Sequence, residues 1–589
     1  MTLKIKLINK DFYITFKLNK IKVIKKLTGL NMKNCDVDMN IKLHLKSLLN
    51  KVEKSIFGIL KKYDTHPDIK DKLDRIVFEH SIYRNRRKIE RFNSILKNSD
   101  DSIKQKILDI KEESDMRKKR KEELVIINDF IKTNIKDLLS DNSNKENKKL
   151  LPLGESEEKI EKKESDDILL QDTEKIKNEF ISKKRKSQSR LKKKYHFYCY
   201  TCKHRLIPEN IHEFYGNLCK KCGNYNYSFR TLKLDLSGRI AIVTGGRIKI
   251  GFYIASKLLS YGCKVIVTSR FPKDALFKFK EHEDYETWKK NLIIYPIDFR
   301  FFESTIKFIN YINDNFPYLD ILINNAAQTL RRTTSYYKYL LPIETKELNE
   351  EEELKIVKND YVNLQKHLIE GVDEKENLDS FKKKENKKLP FSTFTSLLKI
   401  MDEKMQPNVE LMGNDGQPYD FSHGKNSWNL EFDEIPFEEF IEVQIINSWT
   451  PYYLCTKLKP LMLKSPFPDK YIVNVTAVEG IFNHFKKTTH VHTNMAKAEL
   501  NMFTRTCGKY LKNQGIYMTC VDTGWVSPMN EINNLFDENK KEDYEEEYAS
   551  VPLDELDGAM RVLHPIIEGV KNKNYLYGIL LKDYIKSDW

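Results

Sequence analysis

The fold is decided by the stretch RIAIVTGGRIKIG, residues 239–251. Its apolar run IAIV has the length of a short buried strand, and the glycines that follow interrupt the run. Ile250, Ile254 and Leu258 then recur at helical spacing. The pattern predicts a strand, a glycine turn and a helix. At such a junction, backbone N–H groups and the helix N-terminus can hold a pyrophosphate.

Short β-branched runs continue this alternation along the chain. Each ends in polar or small residues, and helical stretches separate them: KVIVTSR, NLIIYPID, LDILINNAA, YIVNVTA and IYMTCVD. Strands that alternate with helices predict an α/β fold, a Rossmann-like doubly wound parallel sheet over residues 231–589, with its ligand beyond the carboxyl ends of the strands. Acidic and Lys-rich runs between Asn325 and Asn447 predict a partly helical insertion at about 331–430, on the catalytic side of the sheet.

Composition limits the class of protein. The chain has 589 residues and a formal net charge of +16, from 102 Lys and Arg against 86 Asp and Glu. No apolar run is long enough for an ordinary membrane-spanning helix, and the basic N-terminus lacks the uninterrupted apolar region of a secretory signal. Scattered single cysteines favour a reducing compartment, so we expect a cytoplasmic protein.

The part of the chain before the sheet is rich in Lys and Asn. Residues 1–140 are partly helical in pattern, although their heptads are too few to establish a coiled coil. Residues 141–194 predict a charged, disordered linker. Its basic run 183–194 is either a nuclear address or a weak contact for nucleic acid or another anionic partner, and the alternative is a solvated linker. We expect residues 1–180 to contribute nothing to the ligand cleft.

Four cysteines occupy a short segment, within residues 195–230. Cys199 and Cys202 form one C-x-x-C pair, Cys219 and Cys222 form a second, and 16 residues separate the pairs. This spacing is typical of a four-thiolate zinc ribbon, in which two turns present their sulfurs to one point. Four protein ligands leave no open position on the metal, so the predicted Zn²⁺ is structural.

The glycine turn, Asp298 after the third strand and the NNAA that closes the fourth together resemble the short-chain dehydrogenase/reductase family. The resemblance covers roughly residues 232–589, and more narrowly a branch with the motifs TGGRxKIG, HxHTNMAK and VDTGW behind a cysteine knuckle. Lys249 departs from the family's middle glycine, and either shifts the turn or brings an ammonium near the pyrophosphate. The resemblance implies a set of cofactor-binding residues: Thr244, Gly245, Gly246, Arg247, Lys249, Ile250, Gly251, Ser269, Arg270, Asp298, Asn325, Ala326, Lys497, Thr523 and Gly524.

The catalytic positions match the family only in part. Asn447 and Lys497 stand where the family has its Asn and Lys, whereas Ala477 and Thr493 replace its Ser and Tyr. An aliphatic hydroxyl is a far weaker acid than a phenol, so the proton must come from another group. His490 and His492 flank the Tyr position, and we expect His492 to supply the proton while Thr476 or Thr493 bonds the substrate oxygen.

Arg270 at the end of the second strand predicts the cofactor. No acid stands there to accept from a ribose 2′-hydroxyl, and a guanidinium suits a 2′-phosphate, with help from Arg247. NADP(H) is therefore expected over NAD(H).

Two functions follow from this reading of the sequence. The first is an NADP(H)-dependent oxidoreductase acting on a small carbonyl or alcohol, which the resemblance implies to be a homo-oligomer. The second is a non-catalytic NADP(H)-binding sensor or adaptor that contacts its partner through the zinc module and basic arm.

Overall fold

The computed structural model describes residues 101–146, 197–332, 335–358, 411–413, 416–419, 425–483, 486–528 and 532–589. Residues 1–100, the basic run 183–194 and most of the predicted insertion lie outside these residues. None of the described helices is both long and apolar enough to cross a membrane.

The described residues form an alternating series of helices and strands. The strands are β1 Ile240–Val243, β2 Lys264–Ser269, β3 Leu292–Pro296, β4 Ile321–Asn324, β5 Lys470–Thr476, β6 Ile516–Asp522, β7 Leu580–Lys582 and β8 Ile585–Ser587. The helices are α1 Asp101–Glu112, α2 Asp115–Glu146, α3 Lys220–Arg230, α4 Lys249–Ser260, α5 Pro272–Lys280, α6 Phe302–Asn315, α7 Phe437–Gln444, α8 Thr450–Leu463, α9 Val491–Lys512, α10 Glu538–Ala549 and α11 Glu555–Asn572. Shorter helical turns are Pro208–Asn210, Tyr285–Trp288, Lys289–Asn291, Ser335–Leu340, Leu341–Glu344, Glu350–Glu353, Ile445–Trp449, Val478–Gly480 and Ile532–Phe536.

One eight-stranded sheet organises the fold, in the order β3-β2-β1-β4-β5-β6-β7-β8. All neighbouring strands pair in parallel except β7 and β8, which are antiparallel. The predicted doubly wound sheet is confirmed. The strand order reverses between β1 and β4, and at such a switch point the carboxyl ends of the strands open a crevice for a ligand.

The alternation of side chains along β1 creates the two core layers. Ala241 and Val243 point to one face, where they join the apolar sides of α4 and α11. Ile240 and Ile242 point to the other face, against α6 and α8. Because β1 is covered on both faces, all four of its residues are apolar, the composition that is typical of a central parallel strand.

Helix α2 differs from the sequence expectation in two ways. It continues to Glu146, past the predicted start of the linker at residue 141. It also packs against α10, since Leu124, Ile127 and Ile131 share a buried cluster with residues such as Tyr544 and Tyr548. Residues 115–140 of the predicted extension are therefore part of a helix that packs against the rest of the described chain.

Candidate active site and cysteine cluster

The glycines of the β1–α4 turn are required by close packing. Gly245 has φ +67°, and a Cβ there would lie 2.9 Å from Ala326 Cα. A Cβ on Gly246 would lie 2.6 Å from Val267 Cγ1. At Gly251 it would fall 2.5 Å from Asn325 Nδ2 and closer still to the Gly245 oxygen. Each is too close for a carbon, so the turn keeps its backbone exposed to the crevice only with glycine at these positions.

Lys249 takes up the conformation that a glycine would have. Its φ of +53° is left-handed, a region that costs a side-chain-bearing residue about 1–2 kcal/mol. The side chain lines the crevice.

Hydrogen bonds fasten the end of β4 to the end of β1. Thr244 Oγ1 accepts from the N–H groups of Asn325 and Ala326, both at 3.0 Å. Asn325 Nδ2 donates to the carbonyl oxygens of Thr244 and Gly245, also at 3.0 Å. The two strand ends at the switch point are thereby held as one rigid edge.

A cavity of about 940 Å³ opens along this edge. Most of the predicted cofactor residues line it, as do three of the residues around the catalytic positions: Gly245, Arg247, Lys249, Ile250, Gly251, Ser269, Arg270, Asp298, Asn325, Ala326, Thr523, Thr476, Ala477 and Lys497. Other predicted residues do not line it: Thr244, Gly246, Asn447, His492, Thr493 and Gly524.

Arginines concentrate positive charge beyond β2 and β3. Arg270 Nη2 donates to the Tyr337 hydroxyl at 2.8 Å, and the described residues include no ion-pair partner for Arg270. Arg247 pairs with Asp274 at 2.6 Å. Burial alone would raise the pKa of Tyr337, but the neighbouring Arg270 guanidinium lowers it. Arg270 thus lines the cavity with a guanidinium that has no direct ion pair within the described residues.

Asp298 is already engaged by Arg300, at 2.7 Å. Burial alone would raise the pKa of Asp298, but Arg300 and Arg270 lower it to about 2. Its carboxylate is therefore ionised. The Ser269 hydroxyl bonds the main chain of Phe271, both as acceptor and as donor.

Lys497 lies near the carboxyl end of β5. Its Nζ donates to the Val475 oxygen at 2.9 Å, and burial lowers its pKa to about 8. The next strand residue, Thr476, has a buried hydroxyl for which the described residues supply no hydrogen-bond partner. An ammonium that titrates near neutrality and an unpaired hydroxyl therefore share one wall of the cavity.

Asn447 forms hydrogen bonds with the main chain of the segment that follows β4. It lies in a π-helical turn, Ile445–Trp449, between α7 and α8. Its Oδ1 accepts from Gln328 N at 2.7 Å, and its Nδ2 donates to Gln328 O at 3.0 Å. Gln328 lines the cavity, so Asn447 positions the wall of the site without reaching its interior.

His492 and Thr493 do not line the cavity. His492 is fully buried in the first turn of α9, with Nε2 3.4 Å from Glu439 Oε1. Neither its ring nitrogens nor the Thr493 hydroxyl has a hydrogen bond within the described residues. His490 has φ +47° and stacks on Trp428, with ring centroids 4.0 Å apart. The structure does not bring any of these three side chains to the place where a substrate would lie.

The four cysteines converge as their spacing predicts. All are buried free thiols, and their sulfurs lie within 4.8 Å of one another. Cys202 Sγ and Cys219 Sγ are 3.8 Å apart. Tetrahedral zinc with bonds of about 2.3 Å places its sulfurs about 3.8 Å apart, so the cluster is compatible with this ion. His204 Nδ1 lies 3.3 Å from Cys202 Sγ, where an N–H can stabilise a thiolate.

The cysteine module also supports the turn after β6, a contact that the sequence did not predict. Tyr200, between two of the cysteines, accepts a hydrogen bond from Trp525 N at 2.8 Å. Gly524 has φ +82°, and a Cβ there would approach the Tyr200 oxygen to 3.2 Å. Burial raises the pKa of Tyr200 to about 12, which keeps the phenol neutral. The VDTGW segment is thus held between the sheet and the module.

Helix α2 contributes a further wall of the cavity. Five of its side chains line the cavity: Asp115, Met116, Lys119, Arg120 and Glu123. The expectation that residues 1–180 contribute nothing to the cleft is wrong. Sequence reasoning missed the contact because the partner helix, α10, lies more than 400 residues away; the 3–4 spacing of Leu124, Ile127 and Ile131 was the available signal.

Comparison with known proteins agrees with this site. The family model described as short chain dehydrogenase matches residues 239–341, which include the glycine turn and the first four strands. Uncharacterized protein R665 of Acanthamoeba polyphaga mimivirus is 31% identical over 379 residues, which cover 62% of this chain and 71% of that protein. The (+)-neomenthol dehydrogenase of Capsicum annuum is 36% identical over 94 residues. The chain belongs to the short-chain dehydrogenase/reductase family.

The relatives differ in how much of them the match covers. The match spans 15% of this chain and 29% of the length of the Capsicum dehydrogenase. The NADPH-bound carbonyl reductase from chicken fatty liver is 14% identical, with a TM-score of 0.35, and its structure is matched over 61% of this chain and 100% of that one.

The two positions at which the sequence predicts a departure from the family's catalytic pattern differ in their place relative to the cavity. Thr493, the predicted replacement for the family's tyrosine, does not line the cavity, whereas Ala477, the predicted replacement for its serine, lines it. Lys497 and the Thr476 hydroxyl are the polar side chains on the β5 side of the site.

Proposed function

We propose that the protein is an NADP(H)-dependent oxidoreductase that interconverts a small carbonyl compound and its alcohol. The single observation that carries the proposal is the cavity itself, which joins the glycine turn at one end to the buried Lys497 ammonium on the β5 side. When bound, the nicotinamide supplies or accepts the hydride. The chain's own residues bind the cofactor, orient the substrate and supply the proton.

The cavity offers a distinct group to each part of the cofactor. The backbone of the β1–α4 turn suits the pyrophosphate, because its N–H groups and helix N-terminus favour an anion. Arg270 suits a 2′-phosphate, since a guanidinium bonds phosphate oxygens in a fork and this one has no carboxylate partner in the described chain. Lys497 suits the nicotinamide ribose, as the family resemblance implies.

The proton donor proposed from the structure differs from the one expected from the sequence. Reduction adds a hydride to the carbonyl carbon and a proton to its oxygen. His492 does not line the cavity, whereas Lys497 does and has a pKa of about 8. We therefore place the general acid at the Lys497 ammonium, which becomes a neutral amine as the alcohol forms. A group whose pKa lies near the working pH is well matched to this task.

The Thr476 hydroxyl holds the substrate oxygen in this scheme. It lines the cavity, and it lacks another hydrogen-bond partner among the described residues. A buried hydroxyl without a partner is costly, so a substrate oxygen that bonds it gains affinity and orientation together. Asn447 keeps the opposite wall in place through the main chain of Gln328.

Structural zinc at the four cysteines completes the proposal. The ion would hold the cysteine module in the shape that delivers Tyr200 to Trp525. All four ligands come from the protein, so the metal leaves no position for substrate.

A second function, a non-catalytic NADP(H)-binding sensor, has one specific observation in its favour. The site has neither the family's tyrosine nor its serine. A protein that only binds cofactor keeps the glycine turn and Arg270, and it needs no proton donor.

Paired variants separate the proposals. NADPH binding is measured by fluorescence titration, and turnover by NADPH oxidation against a panel of aldehydes and ketones. We expect Lys497→Met to reduce turnover by about 10²–10⁴, the range for loss of a general acid, and His492→Gln to stay within a few-fold of the parent. Loss of turnover in His492→Gln with unchanged NADPH affinity would instead identify His492 as the proton donor. Tight NADPH binding with no turnover on any carbonyl would support the sensor.

A further inference from the structure

Helix α2 precedes the part of the chain that resembles the family, yet it borders the cofactor crevice. Five of its residues line the same cavity as the glycine turn: Asp115, Met116, Lys119, Arg120 and Glu123. Two of them, Lys119 and Arg120, are cations, and neither belongs to any motif of the sequence analysis. Their position calls for a physical explanation.

Arg120 is held at the turn that follows β6. Its Nη2 donates to the Val526 oxygen at 2.9 Å, and its guanidinium lies 5.7 Å from the Tyr548 ring centroid. Val526 itself adjoins the glycine turn: a Cβ on Gly558 would meet Ile250 at 3.1 Å and Val526 at 3.2 Å. Arg120 is thereby tied to a residue that packs beside the start of α4.

The charges around this place support the same location. Burial raises the pKa of the Glu555 carboxyl, and the positive charges of Arg120 and Lys249 partly oppose this rise. The nearest approach of Arg120 to Glu123 is 3.9 Å, too long for a hydrogen bond. Lys119 is exposed and has no ion pair within the described part of the chain. Lys119 and Arg120 therefore offer N–H donors on α2, beside the glycine turn.

We propose that Lys119 and Arg120 of α2 bind the pyrophosphate of the cofactor together with the glycine turn. This inference rests on the proposed function, since it takes the dinucleotide to be the ligand of the cavity. The backbone N–H groups of the turn bind the pyrophosphate oxygens, and Lys119, Arg120 and Lys249 neutralise their negative charge. In this arrangement α2, which lies outside the Rossmann domain, contacts the bound dinucleotide.

The test compares single variants of the full-length chain. Lys118→Ala is the matched control: it removes the same charge from the adjacent position, but Lys118 is exposed, pairs with Glu113 and does not line the cavity. We expect Lys119→Ala to weaken NADPH binding about 3–10-fold, and Arg120→Ala about 10–100-fold, because charge-assisted bonds are the stronger ones. Lys118→Ala should bind as the parent does.

A second probe separates loss of contact from loss of structure. Adenosine 2′-monophosphate carries the 2′-phosphate but no pyrophosphate, so its affinity should be equal in the parent, Lys119→Ala and Arg120→Ala. The NADPH affinity should also depend less steeply on salt in both variants, as fewer cations meet the phosphates.

Three results would overturn the inference while leaving the proposed function intact. They are NADPH affinities for Lys119→Ala and Arg120→Ala equal to that of Lys118→Ala, equal losses for NADPH and for adenosine 2′-monophosphate, and an unchanged salt dependence. By contrast, a parent protein that binds neither NADPH nor NADH would refute the proposed function itself.

Discussion

The proposed role of Lys497 makes a quantitative prediction about pH. Reduction needs the ammonium form, and the pKa of this group is about 8 because burial disfavours its charge. The rate of hydride transfer to a carbonyl should therefore be constant at low pH and fall as pH rises through 8. Between pH 7 and pH 9 the protonated fraction drops about tenfold, and the rate with it. Oxidation of the alcohol needs the neutral amine, so its rate should rise over the same interval.

The measurement is single-turnover NADPH oxidation by stopped flow, with cofactor and carbonyl saturating at each pH. Lys497→Arg is the informative variant, because a guanidinium stays protonated across the range and cannot give its proton to an alkoxide. Its residual rate should be low and independent of pH. His492→Gln should keep the parent's profile. A parent rate that is flat from pH 7 to pH 9, or an inflection that disappears in His492→Gln, would refute the reasoning.

Three further predictions concern the metal, the cofactor and the turn. Native mass spectrometry should find one zinc per chain, lost with the fold of the cysteine module in Cys199→Ser combined with Cys222→Ser; a Cys199–Cys202 disulfide without metal in fresh protein would contradict this. NADPH should bind more tightly than NADH, and Arg270→Ala should narrow the difference by about 10–100-fold, since a charged pair is worth roughly 1.5–3 kcal/mol; equal affinities in the parent would count against a 2′-phosphate site. Gly251→Ala should abolish binding of both cofactors, because its Cβ would meet Asn325 Nδ2 at 2.5 Å; binding at parental affinity would show that the turn can move.

Most of the fold could be predicted from local patterns in the sequence. The run IAIV followed by glycines located β1 and its turn, since a four-residue apolar strand and a left-handed glycine leave a local trace. The two C-x-x-C pairs located the cysteine cluster for the same reason. Lys497 was found because its surroundings resemble a family motif, and the structure places its side chain on the cavity wall.

Side-chain direction and distant contacts were beyond the sequence. Whether His492 faces the cavity depends on how the first turn of α9 is rotated, and here the ring packs toward Glu439 of α7. The hydrogen bond to Tyr200 joins residues 325 positions apart. No spacing within either segment encodes such a contact, because it is set by how the finished domains dock.

The packing of α2 against α10 has a consequence for synthesis. Arg117 and its partner Glu546 are 429 positions apart, so the helix made first meets its partner only when the chain is nearly complete. At about 5–20 residues per second, the apolar face with Leu124, Ile127 and Ile131 waits roughly 20–90 s without its cover. During that interval it is an exposed hydrophobic surface on a growing chain, the kind of segment that chaperones hold. This wall of the cleft is therefore completed late in synthesis, although its helix is made before every strand of the sheet.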